Sequence, residues 1–561
     1  MTTVLKIAAD VWDHRLEHEP YVRLGQGLAV ARFRPWGYEE RRATAAFAAR
    51  ARARLDALDA HELSGDDRLT AGFLRFVLDG WTAAAEHFWL DFDVTPYRIY
   101  AVMNPIELTF EGFRAAAPAD EQRFLSLVDD FRAVVDGLRD KLMTQRELRI
   151  LLPRAALPVV IATLQSLRAA APALVRVDAE RFGVLDAAAR ARLAARVERL
   201  VADELLPAFD ALLDVLGPDY LAAAPEHVGL WQYDGGESAY RAAVRRDTTT
   251  DHEPGRIHAI GLEQLAELSE RMAAARSRLG FTGSEAEFRA SLATRPELYV
   301  STPEQVGANF RRHLARIEPH LSGWIAVMPQ APYDVDRLPP QAEEGLTYGS
   351  YEPPMPGQPV GRYLYNASHL EQRSLLNAAT LVFHELVPGH HVHFMRQAEN
   401  ASLPLARRRC GDLHAFNEGW AEYAAGLGWE AGLYEDPFDG YGRLAEERFL
   451  AVRLVVDTGL NALGWSLEQA RQAMREHTLE SELQIATETL RYATDMPAQG
   501  LSYRLGFLEF TRLRASAERS LGSDFDVREF HEQILAQGAL PLDVLDAHLR
   551  EWAETRARAG S

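Results

Sequence analysis

Cysteine is almost absent from this chain: Cys410 is the only one in 561 residues. An intrachain disulfide is therefore impossible, and so is a metal site built on several thiolates. Long apolar runs are missing as well. No stretch of about 18 uncharged apolar residues, the length that spans a bilayer, can be read along the chain. The opening residues 1–20 carry charges throughout and lack the apolar core of a secretory signal. A basic excess is also lacking. Lys and Arg total 61 against 81 Asp and Glu, a net charge of −20 with a pI near 5.4. Nucleic-acid binding needs a basic face that displaces counterions, and this balance argues against one. The expectation is a cytoplasmic protein with neither a nucleic-acid nor a membrane partner.

What is present is ordinary globular composition, 47% hydrophobic and 25% charged. Residues 1–220 are rich in Ala, Leu, Arg and Glu, with apolar residues recurring at three and four, and read as helix. Asp and Glu interleave the Arg-Ala runs, which makes those faces solvated rather than nucleic-acid-binding. Residues 221–367 hold further helices and then a stretch from 325 rich in Pro, Gly and Tyr, with Arg362–Tyr365 as a short strand. Residues 368–561 return to helix, with capping boxes at Ser368-x-x-Glu371 and Ser466-x-x-Gln469. The expected fold is mostly α: a single helical body over 1–561 with a small β element before the motif helix.

The motif is His384-Glu385-Leu386-Val387-Pro388-Gly389-His390-His391. A zincin helix carries H-E-x-x-H, two imidazoles one turn apart with a glutamate base between them. Here the fourth position after His384 is Pro388, and the next histidines follow six and seven residues on. On a regular helix His391 would share the face of His384 but stand about 10 Å along the axis. One metal cannot reach both, since a Zn–N bond is about 2 Å. The helix must therefore be distorted at Pro388-Gly389, by a lost backbone bond and a relaxed backbone. His390 is the favoured second ligand, with His391 the alternative.

Downstream, Asn417-Glu418-Gly419-Trp420-Ala421-Glu422-Tyr423 resembles the N-E-G-aromatic-A-x-Y helix of gluzincin aminopeptidases. That resemblance implies Glu418 as third zinc ligand. Glu422, one turn on, could orient a ligand histidine. HELVPGHHVHF, NEGWAEY, RLVVDTGLNALGWS and LRYATDMPAQGLSYRLG resemble successive blocks of the bacterial "domain of unknown function 885" proteins. The resemblance runs over about 225–510. It implies a metallopeptidase-like, gluzincin-like fold, similar to Taq-type helical carboxypeptidases, with a deep central cleft. Two positions depart from the family pattern. Asn461 stands where a histidine is expected, and Pro497-Ala498-Gln499-Gly500 replaces Pro-Gly-Gln-Ala.

The expected activity is zinc-dependent hydrolysis of a peptide or amide bond in a short peptide or small amide, with one Zn2+ per chain and exopeptidase action favoured. Glu385 is the general base. Tyr503, then Tyr492, are the candidates for oxyanion stabilisation. Arg491 and Arg504 are candidates for binding a substrate carboxylate. Asn461 and Tyr363 complete the substrate-contact set, with the Arg362–Tyr365 strand able to pair with an extended substrate. A homodimer is left open. One alternative keeps the zinc but performs elimination or cyclisation, motivated by Asn461 and the altered Pro-Ala-Gln-Gly block. The other is a non-catalytic helical binding protein.

Overall fold

The computed structural model describes residues 1–343 and 349–560. The described residues are mostly helical, with one three-stranded sheet. Seven helices position the site: α1 (Gly65–Glu86), α2 (Gly236–Thr248), α3 (Ala378–Glu385), α4 (His390–Glu399), α5 (His414–Gly426), α6 (Pro437–Ala462) and α7 (Leu501–Leu521). The strands are β1 (Tyr333–Arg337), β2 (Ser350–Glu352) and β3 (Gly361–Tyr365).

Helices from opposite ends of the chain share one core. Val4, Ile7, Leu74 and Leu78 pack in the same apolar cluster as Val382, Phe416, Phe510 and Leu549. A second core is drawn from Val30 to Ala224 and includes Phe110, Phe124, Phe131 and Phe209. The N-terminal helices therefore pack on one another and on the C-terminal body, while Val30 and Phe33 belong to the second core. One helix, residues 154–174, is long and apolar enough to cross a membrane by length and composition. Its Val160, Leu164 and Ala171 are buried in the second core, and Arg168 pairs with Asp210 at 2.6 Å.

The sheet order is β1-β3-β2, with β1 parallel and β2 antiparallel to β3. The strand expected at Arg362–Tyr365 is present, but it is the central one. Both of its edges are already paired, so it cannot receive a substrate strand. β2 is an edge strand.

The capping box at Ser466 forms as the sequence predicts, with Gln469 reciprocating. The one predicted at Ser368 does not, and the helix begins ten residues later at Ala378. The Ser368 hydroxyl is held instead by Asn366 Oδ1 at 2.8 Å, and Leu375 N–H donates to Leu298 O at 2.8 Å. Tertiary hydrogen bonds thus take the groups that a first turn would have used.

Central to the body is α6, most of whose residues are buried. Arg443, Glu447, Arg453, Asp457 and Asn461 are all on it and all buried. Such charges persist only when paired. Arg443 reaches Glu422 and Glu447, and Arg453 reaches Glu488.

Candidate metal centre

The motif is two helices rather than one bulged helix. α3 ends at Glu385, and α4 begins at His390. Between them Leu386 leaves the helical region, and the Val387–Pro388 bond is cis. Gly389 N–H donates to Phe383 O at 3.0 Å, and His391 N–H to Leu386 O at 3.1 Å. The turn folds back so tightly that a Cβ on Gly389 would lie 1.8 Å from His384 O. Only glycine fits there. Trp420 on α5 locks the turn from the other side by donating its indole N–H to Pro388 O at 3.0 Å.

This return brings His390 beside His384, their rings 4.6 Å apart. Glu418 comes in from α5. Its Oε2 lies 3.4 Å from His384 Nε2 and 3.3 Å from His390 Nε2. The three ligand atoms all fall within 4.8 Å of one another. Those separations are long for hydrogen bonds, and Glu418 Oε2 is buried without a hydrogen-bond partner. They match metal ligands instead: tetrahedral donors at about 2.0–2.1 Å stand about 3.3 Å apart. The donor set, two imidazoles and a carboxylate, suits zinc with a coordination position left open.

Behind these atoms lies a layer that orients them. His384 Nδ1 bonds Glu422 Oε1 at 2.8 Å. Glu422 Oε2 accepts from Arg443 at 2.8 Å, and Arg443 is fully buried. Burial opposes the charge on Glu422, yet Arg443 and His384 outweigh it and hold the carboxyl down to about 2. A carboxylate there fixes the His384 tautomer, with Nδ1 protonated and Nε2 free to bind metal. His390 Nδ1 contacts His393 Nε2 at 3.1 Å. Burial, with His390 close by, pushes His393 well below the usual histidine range, so it stays neutral and can accept that proton.

Glu385 lines the same cleft and accepts a hydrogen bond from the Tyr351 backbone. Burial raises its carboxyl above the ordinary range, against the opposing pull of His384 and His390. The Tyr503 ring stacks near His384, 6.3 Å between centroids at 14°. Burial and then Glu418 raise the Tyr503 hydroxyl, which keeps its proton and can donate. Arg453 sits 5.0 Å from the Tyr503 ring, and Arg491 4.7 Å from the Tyr97 ring. The cleft holds about 430 Å³ and is walled by both arginines, Tyr97, Tyr351 and Tyr503.

Residues 20–549 match the family described as "Bacterial protein of unknown function (DUF885)". The chain belongs to this family. Two solved structures are similar over nearly the whole length. A "putative lipoprotein" from Colwellia psychrerythraea has a TM-score of 0.88 at 22% identity, covering 98% of this chain and 99% of that one. A "putative lipoprotein of unknown function" from Shewanella oneidensis has a TM-score of 0.74 at 17% identity, with the same two coverages. At such identities the likeness speaks for the fold alone. No curated protein matches the chain.

In this DUF885 chain His384, Glu385, His390, Glu418, Glu422, Tyr503 and Arg491 are brought to one cleft. Five other predicted residues are not. His391 turns away, bonding Tyr351 and Ala331 O at 3.0 and 2.9 Å. Tyr492 is fully buried, donating to Glu488 and accepting from Arg453. Arg504 is 2% exposed and held by Glu447 and Gln264. Tyr363 is buried under Phe310 in the sheet. Asn461 is fully buried, bridging Leu230 N–H, Asp457 O and Tyr492 O. Arg443, Arg453, Tyr351 and His393 are the participants that the sequence reading missed. His393 had a signal, standing three residues after His390 on one helix face. Arg443 had none, because its fragment reads like any amphipathic helix.

Proposed function

We propose that this protein is a zinc-dependent hydrolase of a peptide or amide bond in a short peptide or small amide. The observation that carries the reading is Glu418 Oε2 standing 3.4 Å from His384 Nε2 and 3.3 Å from His390 Nε2, all three atoms within 4.8 Å of one another, with Glu385 lining the same cleft.

A bound zinc ion would acidify water and polarise the substrate carbonyl. The protein does the rest. His384, His390 and Glu418 would hold the ion, and Glu422 and Arg443 keep His384 in the binding tautomer. Glu385, its affinity for a proton raised by burial, takes the proton from the attacking water and delivers it to the leaving amine. Tyr503, protonated, donates to the carbonyl oxygen as it gains charge. Arg491 offers charge to a substrate carboxylate. An extended substrate lies along β2, whose Ser350 and Tyr351 line the cleft.

The alternative of elimination or cyclisation drew on Asn461 and the Pro497–Gly500 block. Asn461 is buried in hydrogen bonds away from the cleft, so no specific observation favours that route.

The test pairs metal analysis with one variant. Purified protein is expected to hold about one zinc per chain, and Glu385→Gln to keep that zinc while losing at least about a thousandfold in turnover of a dipeptide or acyl-amide panel. Unchanged turnover in Glu385→Gln would falsify the mechanism. Absence of zinc, with no effect of chelators on thermal stability, would remove the metal.

A further inference from the structure

Beside the metal cleft lies a second cavity of about 430 Å³, different in character. α1 contributes Phe76, Trp81 and Ala84 to its wall, and α2 contributes Ala242. Phe92 and Tyr233 close it further. The two cavities share His414, at the first turn of the helix that carries Glu418. They also meet along neighbouring residues: Tyr97 and Gly411 line the cleft, Arg98 and Asp412 the chamber.

The wall charges of this chamber are already matched. Arg98 pairs with Asp91 at 2.7 Å, Arg245 with Asp251 at 2.8 Å and Arg246 with Asp247 at 2.5 Å. Each of these arginines has a carboxylate partner. The rest of the wall is largely aromatic and alanine surface, in a volume typical of small-molecule pockets, about 300–1,000 Å³. The metal cleft differs in its histidines and in the carboxylates of Glu385 and Glu418, while its two arginines are likewise paired, both with Glu488.

We propose that this chamber is a specificity pocket that takes an uncharged apolar group, an acyl chain or aromatic substituent, flanking the scissile amide on the His414 side. The inference rests on the hydrolase reading, because it assigns the chamber to the same substrate. A substrate would thus be amphipathic: a polar amide end at the metal and an apolar end between α1 and α2. Apolar burial would give the longer-chain substrates their advantage, about fourfold per methylene until the chamber is full.

The test uses the full chain with two kinds of probe. The uncharged fluorophore N-phenyl-1-naphthylamine reads the chamber without any metal. Straight-chain hydroxamates from acetyl to decanoyl read metal and chamber together. Saturable fluorophore binding is expected, weakened at least tenfold by Ala84→Trp and by Ala242→Trp, which fill the chamber from two different helices. Zinc content should stay unchanged in both. Two variants guard against a folding defect in one. Hydroxamate affinity should rise with chain length in the wild type and lie flat in the variants, and the long members should displace the fluorophore. The proposal is overturned if fluorophore binding ignores both tryptophans, or if a zinc-bound decanoyl hydroxamate leaves the fluorophore in place. A chain that binds fluorophore at this chamber but takes up no zinc separates the failures: the hydrolase reading falls, and the chamber's role as its substrate pocket falls with it.

Discussion

Glu422 stands behind His384 and fixes its ring. Orienting carboxylates of this kind are worth about 10–100-fold in metal affinity. Glu422→Gln should therefore weaken zinc binding by that factor, measured by competition with a chromophoric chelator. Ala498 has φ +72°, in the left-handed region, where the family block leads one to expect glycine. That conformation costs alanine about 1–2 kcal/mol. Glycine would relieve it, but would lose a buried methyl worth about 0.8 kcal/mol and gain unfolded freedom worth about 0.4–1 kcal/mol. The effects nearly cancel, so Ala498→Gly should fall within about 1 kcal/mol of the wild type in urea denaturation, whereas a β-branched valine at positive φ should lose more than about 2 kcal/mol. The near-cancellation explains how this chain carries the exchanged block at no great cost.

At the scale of elements, one crossing sets the distance between a candidate metal ligand and the candidate oxyanion donor. Gly419 on α5 and Gly506 on α7 face each other, and a Cβ on either would come within 2.6 Å of the other's Cα. Glu418 is next to the first, and Tyr503 lies one turn before the second. Gly506→Ala must push the helices apart, at about 1–3 kcal/mol for overpacking. The expected result is a lower melting temperature together with weaker zinc binding. Gly255→Ala, which meets open space on a helix, should neither lower the melting temperature nor weaken zinc binding, and equal behaviour of the two variants would remove this role for the crossing. The sequence carried the helices themselves and the Ser466 cap, because those depend on neighbours three and four residues apart. It did not carry the fate of Ser368 or the crossing, which depend on residues brought from elsewhere. The same limit separated Arg491 from Arg504: both are helix arginines in one fragment, and only the packing decides which faces the cleft.

At the scale of the whole molecule, Asp457 ties three distant segments. It accepts from Tyr240 on α2 at 2.6 Å and from Ala498 N–H at 3.0 Å, while sitting fully buried on α6. Burial raises its carboxyl to about 7, against the lowering effect of those hydrogen bonds. The unfolded value is near 4. The folded state therefore keeps a proton that the unfolded state has lost between about pH 4 and pH 7, and Asp457 subtracts stability as pH rises through that window. Asp457→Asn should flatten this fall. The check is the difference between variant and wild type in urea midpoints at pH 5 and pH 7, and an identical difference at both would sink it. Composition and helical pattern had made the mostly α architecture legible, and the spacing at Pro388-Gly389 had pointed to His390. Hidden from the sequence was that the segment around 460 serves this buried junction rather than the cleft.

The shared packing of Val4–Leu78 with residues as late as Leu549 bears on how the protein is made. During synthesis the core from Val30 to Ala224 can close first, because all of its members have then left the ribosome. The body that holds the candidate metal centre must wait, since its first helices, although they pack on one another, also need partners among the last. Contacts of such sequence separation close slowly. Until then the N-terminal helices leave bare the part of their apolar surface that those late partners cover in the folded chain.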